Sequence, residues 1–96
     1  MPHDLEHLRL VCSALGEATR WQILGRVAGS AASASALAES LPVSRQAISK
    51  HLRALEEAGL VASHRVGREL RYTARPEVLD EAARHLGEIA VAWAQR

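Results

Sequence analysis

With 96 residues, the chain has the size of one domain, 1–96, which leaves no room for a separate catalytic or sensing unit. A single cysteine, Cys12, excludes an intrachain disulfide and fits a reducing compartment. The net charge of +1 says little by itself, but between Leu41 and Arg75 the basic residues Arg45, Lys50, Arg53, Arg65, Arg68, Arg71 and Arg75 face only Glu56, Glu57 and Glu69, so this segment carries +4 and the remainder −3. That is the footprint of a polyanion site.

The chain has no Phe, one Tyr and two Trp amid much Ala and Leu. Small side chains suit closely packed helices, so a mostly helical protein with a modest core is expected. A core this small makes dimerisation a natural source of further stability. The charged N-terminal stretch does not resemble a signal peptide, and no segment approaches the ~18 uninterrupted apolar residues of a membrane span. The expected location is cytoplasmic, with no membrane contact.

Leu5, Leu8, Val11/Cys12 and Leu15 recur at helical spacing and predict a first helix from Asp4 to Leu15, broken by Gly16. A second helix is predicted from Ala18 to Ala28, its apolar stripe formed by Trp21, Leu24 and Ala28 with Ile23 and Val27 beside them, and Gly29-Ser30 ends it. Ser33 is an N-cap candidate for a short helix over Ala34–Ser40, with Leu37 and Leu41 inward, and Pro42 separates it from the next. Ser44 caps a fourth helix whose apolar positions are Ile48, Leu52 and Leu55, and Gly59 stops it in a left-handed conformation. Val61–Val66 and Glu69–Ala74 alternate and join through Gly67-Arg68 as a hairpin, with Leu70, Tyr72 and Ala74 on one face of the returning strand and Glu69, Arg71, Thr73 and Arg75 on the other. Pro76 opens a last helix. The expected fold is mainly α with a small β-hairpin wing, in the order α-α-α-α-β-β-α: a winged helix-turn-helix.

The polar face of the fourth helix carries Arg45, Gln46, Ser49, Lys50 and Arg53. A helix fits the major groove of B-DNA, and the side chains of its first turns reach base edges. Arg45 pairs well with guanine and Gln46 with adenine. Lys50 and Arg53, a turn further on, suit phosphates, and Ser44 combines capping with a backbone N–H near a phosphate. An ordinary solvated helix face is the plainer reading of these residues, and the adjoining basic hairpin weighs against it. Arg68 at the tip is the leading wing contact, followed by Arg65 and Arg71, although an Arg-rich hairpin also serves as a solvated edge that discourages strand pairing.

The segments SALGEATRWQIL, SASALAESLPVSRQAISKHLRALEEAGLV and HRVGRELRYTA resemble the ArsR/SmtB family of winged-helix repressors. The resemblance spans Cys12 to Tyr72. Its most specific part is Ser49-x-His51-Leu52-x-x-Leu55-x-x-Ala58-Gly59-Leu60-Val61, followed by a Gly-Arg wing tip and a Tyr. It implies a homodimeric repressor that binds an inverted repeat of double-stranded operator DNA, with its terminal helices (about 4–15 and 77–95) as the dimer interface.

Leu79, Leu86 and Trp93 recur seven residues apart on the last helix, with Ile89 between them, a heptad-like stripe that seeks a partner. With Leu5, Leu8 and Cys12 on the first helix they form the candidate interface; packing within the same domain is the alternative. His51, beside Leu52, is read as structural or phosphate-contacting. Many members of the resembled family sense metals through cysteines on the short helix before the recognition helix, and this one has none there. Others use Asp/His/Glu sets on the last helix; here His85-x-x-Glu88 supplies half of that pattern, because Asp80 is followed by Glu81 and Ala82. Glu81, His85 and Glu88 share a face. His3 and His7 are spaced to share a metal but sit at a terminus expected to fray, and His64 stands alone. No metal and no cofactor are expected, and an effector, if one exists, goes unmarked. Cys12 reads as a small core or interface residue, with a redox role the lesser alternative. No Gly-rich phosphate loop or Ser/His/Asp set occurs, which argues against an enzyme. Two rival readings remain: a winged-helix module that binds an acidic protein partner, and a repressor that answers to redox or a small molecule.

Overall fold

The computed structural model describes residues 2–96, with side chains from Leu5 onward. The expectation for His3 lies outside the described side chains.

Helix α1 runs Pro2–Ala14, beginning ahead of the predicted Asp4, and α2 runs Ala18–Gly29. The buried stripe of α2 is Ile23, Leu24 and Val27. Trp21 and Ala28, predicted to share that stripe, are exposed, Trp21 by 52 %. The reason is the indole N–H, which needs an acceptor. It finds one in the Leu15 carbonyl, 2.8 Å away at the α1–α2 junction, and this holds the ring outside the core.

Strand β1 (Ala32–Ser33) was not anticipated. Helix α3 follows at Ala34–Ser40, capped by Ser33 Oγ, which accepts from the Ala36 N–H at 3.1 Å. Helix α4 spans Arg45–Glu57, and Ser44 Oγ accepts from the Ala47 N–H at 3.1 Å, the expected cap. At the far end of α4, Gly59 takes φ +80°, its N–H bonds to Glu56 O at 3.0 Å and the Leu60 N–H to Leu55 O at 2.9 Å. This pair of bonds is the Schellman closure, with Leu55 and Leu60 buried together at the turn.

The hairpin consists of β2 (Val61–Val66) and β3 (Glu69–Ala74), in register from Val61↔Ala74 to Val66↔Glu69. Gly67, at φ +62°, takes the first position of the two-residue turn, where a side chain would be strained. β1 pairs antiparallel with β3, Ala32 opposite Tyr72, so the wing is a three-stranded sheet in the order β1-β3-β2. Val61, Tyr72 and Ala74 turn toward the core, where Ile23, Leu37, Ile48, Leu52, Leu55 and Leu60 meet.

Helix α5 covers Pro76–Ala94, with Pro76 in its first turn. The Glu77 carboxyl is held below the usual carboxylate range by its own backbone N–H at the helix start and by the Arg75 side chain. The first turns of α5 pack on the domain through Val78, Leu79 and Ala82. From Leu86 to Arg96 every residue except the half-buried Ile89 is exposed. No helix among the described residues is long and apolar enough to cross a membrane.

Candidate nucleic-acid interface

The second helix of the α3–α4 pair presents two chemically opposite sides. Ile48, Leu52 and Leu55 are at 0 % exposure on one side, while Arg45, Gln46, Ser49, Lys50 and Arg53 are exposed on the other, with Ser44 exposed at its start. Packing of α4 on α2, α3 and β2 fixes the apolar side inward, so the polar residues project together. Those at the N-terminal end (Arg45, Gln46, Ser49) sit where a groove-inserted helix offers side chains to bases.

His51, read from the sequence as structural or phosphate-contacting, lies away from these residues. Helical spacing puts it on the flank of Ala47, Ala54 and Ala58, and it is half-buried. Its Nδ1 accepts a hydrogen bond from Arg20 Nε on α2 at 3.2 Å. Of the two roles expected for it, the structural one fits this placement.

The wing continues the basic surface. Arg65 and Arg68 are exposed at and beside the tip, and neither forms an ion pair among the described residues. Arg71 differs, because Glu69 accepts from its Nε at 2.9 Å and lies 2.8 Å from its Nη2, so its charge is largely met within the strand. The wing's base is tied to α4 by Ser63 Oγ, which donates to Glu56 Oε2 at 2.8 Å. On sequence grounds Glu56 reads as a solvated helix end. The bond joins residues on two elements, and nothing in either local pattern announces it.

Residues 15–64 match the family described as a helix-turn-helix domain. The transcriptional repressor SdpR of Bacillus subtilis (strain 168) is 32% identical over 72 residues, which are 75% of this chain and 80% of the repressor. A solved ArsR-like transcriptional regulator from Rhodococcus sp. RHA1 superposes with a TM-score of 0.88 at 49% identity, covering 96% of this chain and 87% of that one. The chain belongs to the ArsR family. Its fold is therefore that of a winged helix-turn-helix transcriptional regulator, with α3–α4 as the helix-turn-helix and β2–β3 as the wing. A third relative is the homodimeric winged helix-turn-helix DNA-binding domain of a possible ArsR-family regulator from Mycobacterium bovis, with a TM-score of 0.74 at 27% identity, covering 92% of this chain and 81% of that fragment.

Within this ArsR-family chain the candidate interface residues divide. Leu5, Cys12, Leu86 and Trp93 are exposed, Trp93 by 63 %, and Ile89 is half-buried. Cys12 is thus not a core residue, which corrects one of the two expectations for it. Leu8, at 6 % exposure, is buried within its own chain, and Leu79 packs against its own core. The heptad stripe of α5 therefore changes owner along its length: its first member serves the domain and the later ones face out, joined by Val91.

His7 does not sit in a frayed end. Its Nε2 lies 3.1 Å from the Ala58 carbonyl at the end of α4, and its Nδ1 lies 3.6 Å from Glu81 on α5. His7, Glu81, His85 and Glu88 line a cleft of about 220 Å³ between α1 and α5, floored by Leu8, Val11, Val78 and Ala82. Among the described residues no three His, Cys, Asp or Glu side chains converge on a point that would hold a metal ion.

Proposed function

We propose that this ArsR-family chain is a homodimeric, cytoplasmic repressor that binds an inverted-repeat operator, with α4 in the major groove and the wing on the flanking backbone. One observation carries this reading: a single exposed face of α4 gathers Arg45, Gln46, Ser49, Lys50 and Arg53 beside a hairpin tipped by Arg65 and Arg68. Arg and Gln are the side chains that read guanine and adenine edges, and they stand in the helix's first turn, whereas the cations further on, Lys50 and Arg53, suit phosphates. Homodimer formation is supported by the exposed apolar residues Leu86, Val91 and Trp93 on α5 and by the homodimeric relative from Mycobacterium bovis. A two-fold dimer presents two copies of α4, and its binding site mirrors that symmetry.

The test is selection of duplexes from a random pool by the wild-type protein, followed by affinity measurements on the selected and a scrambled duplex across a salt series. The expected result is a palindromic site, bound far more tightly than the scrambled one, with log K falling by about 0.9 per phosphate contact for each unit of log salt. Binding that is equally tight on both duplexes, or absent from both, removes the operator reading. Absence would assign the basic face to an acidic protein partner.

A further inference from the structure

Arg20 lies in the first turn of α2 and joins three helices. Its Nη1 donates to the carbonyl of Ala14 at 3.3 Å. Ala14 is the last residue of α1, where carbonyls lack partners within their own helix and a cation meets the negative end of the helix dipole. Its Nε donates to His51 Nδ1 at 3.2 Å, thirty-one residues away on α4. A guanidinium only donates, and an imidazole nitrogen accepts only when it carries no proton. The contact therefore requires a neutral His51 with its proton on Nε2.

We propose that Arg20 is a positioning residue for the recognition helix, holding α4 on α1 and α2 through a neutral His51, so that operator affinity falls when His51 takes up a proton. The proposal rests on α4 being the reader. Protonation removes the lone pair that Arg20 uses and sets two cations face to face. No carboxylate among the described residues bonds to either partner and offsets that repulsion. The charged group facing His51 from α2 is Arg20, and among the described residues α1 contributes only the Ala14 carbonyl, through Arg20. On α4 the next charge is Lys50, which is exposed, and Glu17 at the start of α2 is exposed as well. α3 and β2, also packed on α4, place no charged side chain in hydrogen-bonding contact with His51 among the described residues. His51 lies at the middle of α4, so a loosened contact there disturbs the seat of the turns that carry Gln46 and Ser49.

The sign follows from the contact itself: affinity is full where Nδ1 of His51 accepts from Arg20 and declines on acidification as a proton takes that lone pair. The probe is a duplex selected from a random pool by the wild-type protein. Arg20→Lys, which reaches only one of the two acceptors, should bind it roughly tenfold more weakly at pH 8. His51→Asn should bind within about twofold of wild type at pH 8, because its Oδ1 stands where Nδ1 stands, accepts from Arg20 and takes up no proton. Between pH 8 and about 5.5 the wild type should lose roughly tenfold relative to His51→Asn, a comparison that cancels the other histidines. Long-range proton–nitrogen NMR at pH 8 should find His51 protonated on Nε2 alone. Melting curves at each pH confirm that the variants are folded. Coincident pH profiles of wild type and His51→Asn, or a His51 protonated on Nδ1, would overturn the proposal. Gln46→Ala separates the two layers. If it leaves sequence preference intact, the reading of α4 itself fails. If it relaxes preference while Arg20→Lys binds as wild type, only the role of Arg20 fails.

Discussion

Helices α4 and α5 carry similar apolar stripes in the sequence and treat them in opposite ways. Ile48, Leu52 and Leu55 on α4 are wholly buried, enclosed by α2, α3 and β2. On α5 only Val78 is buried, whereas Leu86 is 48 % and Trp93 63 % exposed. A helical repeat of leucines says that one face is apolar; it does not say what covers that face. The short connections around α4 fold its neighbours back over it within one chain. Beyond its first turns α5 has no such neighbour among the described residues, and in a chain this small a run of exposed Leu, Val and Trp side chains marks an interaction surface. On the proposed reading, stability is thus invested in the helix that meets DNA, and association in the helix that leaves the body.

The largest expected effect is on the α4 side of this contrast. Leu52→Ala leaves a cavity in a fully enclosed site and should destabilise the protein by about 2–5 kcal/mol in denaturant unfolding. In a protein of this size, that is a large part of the total stability. A loss under 1 kcal/mol would mean that the monomer core is not centred on this helix. The α5 side comes next. Leu86→Ala with Trp93→Ala should weaken the dimer by roughly 2 kcal/mol or more in sedimentation equilibrium, yet leave the circular dichroism of the isolated subunit unchanged, because both side chains are already exposed in it. A wild-type chain that sediments as a monomer at tens of micromolar would break the comparison outright.

These contrasts also explain what could be read from the sequence. The caps Ser33 and Ser44, the glycine stop at Gly59, the Gly67 turn and the helix order all depend on residues within a turn of one another, and local chemistry announces them. The two sides of α4 were legible for the same reason, since its pattern separates the buried Ile48, Leu52 and Leu55 from the exposed polar residues. What the sequence hid depends on contacts between distant segments. The two residues of β1 have no periodicity to detect and exist because β3 offers an open edge. The exposure of Trp21 follows from a carbonyl at Leu15, and the separation of His51 from the exposed polar side of α4 goes with its bond to Arg20. Likewise the division of α5 between Leu79 and Trp93 depends on where α1 ends its support.

Within α4 a smaller effect tests whether its polar side is a reader or only a solvated surface. Gln46→Ala should cost about 1–3 kcal/mol on the selected duplex and relax the preference at one base position in each half-site, while affinity for scrambled DNA barely moves. Because Gln46 is exposed and takes no part in the core, thermal stability should stay within about 0.5 kcal/mol of wild type. An unchanged base preference would move the reading function off this helix.

The smallest effect concerns the wing, where two arginines of equal formal charge stand in different company. Arg68 is exposed at the turn without an ion-pair partner among the described residues, whereas Arg71 is held by Glu69 through contacts of 2.8 and 2.9 Å. A phosphate that binds Arg71 must compete with a carboxylate already in place, so less counterion release is gained there. Arg68→Ala should therefore weaken specific and scrambled duplexes alike and flatten the log–log salt dependence by roughly 0.9 for each phosphate left without its arginine, twice that in a dimer. Arg71→Ala should flatten it by clearly less, and Glu69→Ala, which releases Arg71, should steepen it. Equal slopes for Arg68→Ala and Arg71→Ala would mean that the ion pair opens on DNA, and that the whole outer edge of the hairpin, more than its tip, follows the backbone.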